Sequence, residues 1–254
     1  MSTTLPTFDE LVTEGASVPV EGWDFSWFAG RATEERPSWG YSRLLADRMS
    51  RASAALDLQT GGGEVLATIA QAPPLLVATE SWPPNVDVAR RNLAPLGARV
   101  VAATDRSDLP FRDAAFDLVV SRHPVDTRWP EVTRVLRPGG VFLSQQIGPR
   151  TVGELAEVIA GPLPANPRRG TAWIAAEAGA AGLELLDLRE ESLRTVFHDI
   201  GAVVHFLRKV IWIVPGFTVE RYRDELAALH RRIEADGPFV AYARRILVEA
   251  RKPR

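Results

Sequence analysis

Between residues 54 and 147 the chain alternates short apolar runs with stretches of helical periodicity, and this alternation leaves few folds open. Residues 54–58, 75–79, 98–102, 116–121 and 141–147 read as strands. Helical patterns over 64–71 and 84–93 separate the first three. Another, containing Val132, Val135 and Leu136, precedes the fifth and stops at Pro138-Gly139-Gly140. Connections of this length, carrying helices, predict βαβ units and a mostly parallel sheet. Right-handed crossovers then put helices on both faces.

The flanks extend this frame. Residues 1–53 read as a helical cap, with Phe8, Leu11 and Val12 at helical spacing and Ser38 placed to cap a helix through Leu44, Leu45 and Met49. The aromatic cluster Trp23, Phe25, Trp27 and Phe28 suits core packing, or else a ligand box. After residue 147 come a helix from Thr151, a proline-broken loop at 161–167 and a helix over 173–181. A sixth strand follows at 183–188 and a seventh at 239–250. The expected fold is therefore α/β, a doubly wound, mostly parallel seven-stranded sheet in one domain of 1–254. Residues 54–191 and 239–254 form its Rossmann-like core. Residues 192–238 form a helical insertion, with a helix over 219–235, placed to fold over the open sheet edge as a lid.

Composition narrows the partners. The 254 residues carry a formal net charge of −2, against the basic surplus that phosphate neutralisation demands of a duplex-binding protein. A small-molecule substrate is expected, and nucleic acid is not. Cysteine is absent and the four histidines show no HxxxH spacing, so no metal site is expected. No apolar run reaches membrane-spanning length and the first residues do not form a secretory leader, so the expected location is the cytoplasm. Oligomeric state is left open.

The sharpest motif is Leu56-Asp57-Leu58-Gln59-Thr60-Gly61-Gly62-Gly63-Glu64, a strand running into a glycine turn and an expected helix. Glycines let the backbone approach a ligand, and a helix N-terminus offers unpaired N–H groups to an anion. Alone, it also fits a plain strand-to-helix turn. Leu66 stands where a nicotinamide fingerprint wants a small residue, and no GK[ST] follows for a P-loop. Glu80, at the end of the second strand, is placed either to accept the hydroxyls of a ribose or to cap the next helix. Then come Thr104-Asp105, Leu109-Pro110-Phe111, Phe116-Asp117-Leu118-Val119-Val120-Ser121 and Arg134-Val135-Leu136-Arg137-Pro138-Gly139-Gly140.

Taken in order over residues 54–147, these pieces resemble the class I S-adenosylmethionine-dependent methyltransferases. The resemblance implies S-adenosyl-L-methionine as cofactor and a last strand running antiparallel. It implies that Asp57 and the turn through Gln59, Thr60, Gly61 and Gly63 hold the methionine end. Glu80 with Ser81 would hold the ribose, Asp105 and Arg106 would read adenine, and Ser121, Arg122 and His123 would flank the methyl group. Gln59 departs from the family, which has its first glycine there; its amide either turns aside, contacts the ligand or weakens binding.

The implied reaction is methyl transfer by in-line displacement to oxygen or nitrogen of a small molecule, where alignment matters more than acid–base chemistry. If a base is needed, His123 is the first candidate, with Pro124 expected to hold its backbone extended, and His198 beside Asp199 the second. His205 and His230 read as structural. Phe206, Trp212 and Phe217 line the acceptor side, or simply bury the insertion. Gln145-Gln146 breaks an otherwise apolar central strand, which points Gln146 toward a polar substrate. Two other readings stay open: an RNA-modifying methyltransferase, and a non-catalytic S-adenosylmethionine-binding protein.

Overall fold

The computed structural model describes residues 6–20, 24–104, 107–162, 164 and 169–254. The chain divides into two compact units. The larger comprises residues 37–149, 166–191 and 245–254, and the smaller residues 1–36, 150–165 and 192–244.

The larger unit carries the expected parallel sheet. Its strands are β2 (Ala54–Leu58), β3 (Leu75–Glu80), β4 (Arg99–Ala102), β5 (Phe116–Arg122) and β6 (Leu136–Ile147). Pairing is parallel throughout this set, β3 joining β2 to β4 and β5 joining β2 to β6. β8 (Phe239–Arg251) then pairs antiparallel with β6, as the resemblance implies. Side-chain alternation sorts the strand residues between two apolar layers. Ala55, Leu118, Val120, Leu143 and Leu247 pack with α2 (Tyr41–Arg51) and α3 (Pro83–Leu93). Leu56, Val119, Phe142, Ile246 and Val248 pack with α4 (Trp129–Val135) and α6 (Thr171–Ala180).

Three expectations change. Among the described residues the sheet has eight strands, in the order β1-β7-β8-β6-β5-β2-β3-β4, because the N-terminal cap contributes a short strand, β1 (Ala32–Glu34). It pairs antiparallel with the far end of β7 (Glu184–Phe197), which runs nine residues past the expected end at 188. The helix expected over 64–71 is a single 3-10 turn, Leu66–Thr68. Three consecutive glycines weaken its start, and Pro73 drives the residue before it into extended backbone, so too few residues remain to propagate a helix.

The smaller unit is built from α1 (Phe8–Ser17), α5 (Gly153–Ala160), α7 (Ile200–Lys209) and α8 (Arg223–Asp236) around one apolar cluster. α7 and α8 are the helical content of the insertion. Asp199 caps α7, accepting from Ala202 N at 2.9 Å, and the Arg31 guanidinium lies against the same carboxylate at 2.9 Å. Gly15 of α1 and Gly201 of α7 meet so closely that a β-carbon on Gly15 would collide with the Gly201 carbonyl. Among the described residues no helix is long and apolar enough to cross a membrane.

Candidate functional site

The strand order reverses at β2: the chain moves outward through β3 and β4, then returns to β5 on the other side. Crevices at such switch points, outside the carboxyl ends of the strands, are where doubly wound sheets bind ligands. Register brings Asp57 opposite Val120 and Leu58 opposite Ser121, so the glycine turn leaves β2 beside the end of β5. Ser121, expected to flank the methyl group, donates its hydroxyl to the Leu58 carbonyl at 3.0 Å and ties the two strand ends together.

Two buried carboxyls sit here. Glu80 faces the turn rather than solvent: Oε2 accepts from Gly61 N at 2.8 Å, and Oε1 accepts from Ser81 N and Trp82 N, each at 2.8 Å. Asp57 is buried and its carboxyl is pushed up to about 7. Burial raises it most, the Thr60 side chain offsets part of this, and Glu80 raises it further. A ligand carrying an ammonium group and hydroxyls fits this donor set, because a cation near Asp57 relieves both the burial and the like-charge repulsion. The turn suits close approach, with Gly61 at φ 64° and Gly63 at φ 78°. A β-carbon at Gly63 would also strike the Leu93 side chain. With no long helix after the turn, the helix-terminus contribution expected there is missing.

Gln59 answers the question its sequence raised. Its φ is 55°, the left-handed conformation that glycine adopts without strain. Its side chain crosses the switch point: Nε2 donates to the Asp126 carbonyl at 2.8 Å and Oε1 accepts from Val125 N at 2.7 Å. The cleft, lined by Leu58, Gln59, Thr79, Ser121, Asp126 and Arg128 among others, has a volume of about 30 Å³. That is far below the roughly 300 Å³ or more of small-molecule sites. Val125 and Asp126 are exposed, so water can replace the amide. Gln59→Gly is therefore expected to leave stability within about 1 kcal/mol, lost hydrogen bonds offsetting relieved strain, and to leave ligand affinity equal or higher. A tenfold weaker affinity by titration would make the glutamine a ligand contact instead.

The remaining site residues divide. His123 lies at the end of β5, half-buried, with φ 56° and not extended as Pro124 suggested. The bend lets His123 N donate to the Gln145 carbonyl at 2.7 Å, which repays the unusual backbone. Burial, then Arg122 and Arg245, holds its pKa well below the ordinary value. Gln145 and Gln146 point to opposite faces: Gln145 joins His123 and Trp39, while Gln146 donates to Thr127 Oγ1 at 3.1 Å. Asp105 and Arg106 lie outside the described residues. His198, Phe206, Trp212 and Phe217 belong to the smaller unit. There His198 is exposed, and the three aromatics pack on that unit's own core, Phe206 edge-on to Phe197 at 5.2 Å. His205 meets Trp27 edge-on and Phe28 at a tilt, and His230 lies against Phe8, structural places for both.

Some contributors were not legible in the sequence. Trp39 and Tyr41, just before and at the start of α2, reach the site, Tyr41 donating to the Ser121 carbonyl at 3.2 Å. Arg134, inside the Arg-Val-Leu-Arg-Pro-Gly-Gly motif, donates to the carbonyls of Leu109 and Phe111 and pairs with Glu131. Glu131 in turn accepts from Leu109 N at 2.7 Å. The motif thus holds the Leu-Pro-Phe loop at the cleft edge. Asp117 accepts from the backbone N–H groups of Ser53 and Ala54 and fixes the entry of β2.

Comparison with known proteins agrees. Residues 56–144 match the model of a methyltransferase domain family. A malonyl-[acyl-carrier protein] O-methyltransferase of Geobacter sulfurreducens is 38% identical over 88 residues, 32% of this chain and 33% of that protein. The chain thus matches about a third of that relative's length. Among solved structures, a Bacillus halodurans C-125 protein provisionally described as a methyltransferase has a TM-score of 0.59 at 20% identity, covering 84% of this chain and 99% of its own. A geranyl diphosphate methyltransferase bound to its substrate and sinefungin scores 0.52 at 13% identity, covering 83% and 76%. The [4+2]-cyclase SpnF scores 0.53 at 18%, covering 99% and 98%. At these identities the structures speak for the fold alone, and the cyclase among them shows that one fold hosts different chemistry. The ordered motifs, the methyltransferase domain matched over residues 56–144 and the switch-point site together support a class I S-adenosylmethionine-dependent methyltransferase.

Proposed function

We propose that the chain binds S-adenosyl-L-methionine at the β2–β3–β5 edge and transfers its methyl group to oxygen or nitrogen of a small molecule. The observation that carries this reading is the buried Asp57–Glu80 pair beside a glycine turn, where the raised Asp57 carboxyl suits a cationic ligand. When bound, the cofactor supplies a methyl group activated by a sulfonium, which an aligned nucleophile displaces. Asp57 is placed to take the amino group of the methionine end. Glu80 organises the Gly61 amide and the start of α3, and supplies acceptor oxygens on the ribose side. The Ser121–Leu58 and Tyr41–Ser121 hydrogen bonds hold the strand ends at a fixed spacing, which is what alignment requires.

The acceptor is a small molecule on grounds of charge, since the chain has a net −2 and no basic surplus for a nucleic acid. The test is transfer of isotopically labelled methyl from S-adenosylmethionine to a panel of carboxylic acids, phenols and amines. Labelled product from at least one class is expected. Cofactor binding with no transfer to any class would leave a repurposed binding protein.

A further inference from the structure

His123, Gln145 and Trp39 form a line of hydrogen bonds whose directions can be worked out from chemistry alone. The Trp39 indole Nε1–H can only donate, and it meets Gln145 Oε1 at 2.9 Å. The amide oxygen of Gln145 is thereby fixed on the Trp39 side. Its NH₂ must then face His123, where Gln145 Nε2 and His123 Nε2 are 3.0 Å apart. An amide NH₂ only donates, so His123 Nε2 is the acceptor and carries no proton. The proton of the neutral ring is on Nδ1. Trp39 and Gln145 are buried, so the orienting pair is sheltered from competing water.

We propose that His123 is held by Gln145 and Trp39 as a neutral Nδ1–H hydrogen-bond donor, that it is not the base of the reaction, and that the methyl acceptor is a carboxylate. This rests on the methyltransferase reading above. With Nε2 taken by Gln145, the ring has no free lone pair with which to remove a proton. Tyr41 already donates to Ser121, Glu131 is committed to Arg134 and Leu109 N, and Asp126, the other carboxylate lining the cleft, accepts from Thr127 N. An alcohol, a phenol or a protonated amine needs a base; a carboxylate, ionised far below neutral pH, does not. It also offers a second oxygen to the Nδ1–H, which has no partner among the described residues. One carboxylate oxygen supplies the electron pair of the new O–C bond, and the pair of the broken C–S bond stays on sulfur. The sulfonium and carboxylate charges disappear together, an ester forms and no proton moves. His123 is the catalytic residue in this account, and Gln145 and Trp39 are positioning residues.

The tautomer is read directly by ¹⁵N imidazole spectra of the cofactor-free protein, with His123→Asn used to assign the signal among the four histidines. A protonated Nδ1 and a bare Nε2 are expected for His123. A protonated Nε2, or averaging between the two forms, would overturn the lock. Gln145→Glu should reverse the tautomer, since a carboxylate accepts from both neighbours. Gln145→Met, close in shape and without a donor, should release the ring into a mixture should the charged variant not fold. An unchanged spectrum in either folded variant would also overturn it. With acceptors and saturating S-adenosylmethionine, kcat for carboxylic acids should be flat between pH 6 and 9. His123→Leu should lower kcat about 10- to 100-fold, the usual loss of a hydrogen bond to a charged group. His123→Asn should recover most of that loss, because its side-chain amide places a donor near the Nδ1 position and asparagine tolerates positive φ. Labelling only of phenols, alcohols or amines would refute the carboxylate while leaving the methyltransferase reading intact. Absence of cofactor binding would refute that reading and leave the tautomer result standing.

Discussion

Glu80→Ala is expected to destabilise the protein by about 3 kcal/mol and to abolish cofactor binding with it. The carboxylate accepts three backbone N–H groups at 2.8 Å, from Gly61, Ser81 and Trp82. Gly61 is buried, so its N–H cannot turn to water when the acceptor is removed. A stranded buried donor costs about 1–3 kcal/mol, and bonds to a charged acceptor lie at the upper end. Ser81 and Trp82 are exposed and recover part of their loss. Urea unfolding at pH 7.5 measures the change, and Glu80→Gln, which keeps one carbonyl oxygen, should fall between alanine and the parent. A loss under about 0.5 kcal/mol for the alanine variant would remove Glu80 from its place as organiser of the turn.

The second large effect is a pH dependence centred on Asp57. Its carboxyl titrates at about 7 in the folded chain, against 3.8 when unperturbed. A raised acid favours folding only while it is protonated. Its contribution is full below about pH 4, is lost as pH rises through 7, and leaves the protein less stable at pH 8 than at pH 5.5. At about 1.4 kcal/mol for each pKa unit, the whole swing is about 4.5 kcal/mol. Asp57→Asn should abolish this slope and raise stability at pH 8, as measured by thermal unfolding between pH 5.5 and 8.5. A parental stability that climbs steadily across that range, with the variant parallel to it, would contradict the assignment. Ligand binding inverts the picture: a cationic ligand needs the ionised carboxylate, so its affinity should rise with pH between 6 and 8.

Much of this was legible in the sequence, for identifiable reasons. The parallel strands were readable because βαβ units write their period and their breaks locally, as at Pro138-Gly139-Gly140. Glu80 was singled out by its place at a strand end, Asp57 and Ser121 by the resemblance, and the structure sets all three at strand ends beside the switch point. The helix over 64–71 was misread because its periodicity is genuine, while three glycines and Pro73 act on propagation, which periodicity does not report. β1 was hidden because three residues make a strand only when a distant partner, here the end of β7, supplies the ladder. Long-range side-chain direction was the other blind spot. Nothing in the order of residues says that Gln59 bridges to residues 125 and 126, that Gln145 and Gln146 part to opposite faces, or that Trp39 settles the proton of His123.

The central claim is that the switch-point site takes a cation-bearing nucleoside through Asp57, and calorimetric titration tests it. S-adenosylmethionine and its demethylated product are titrated into the protein at pH 6 and pH 8, in buffers of different ionisation enthalpy. Saturable one-to-one binding is predicted for both, tighter at pH 8, with a proton released on binding near pH 7 and no such release in Asp57→Asn. Absence of binding at either pH, or binding with no proton release and no dependence on Asp57, would contradict the account.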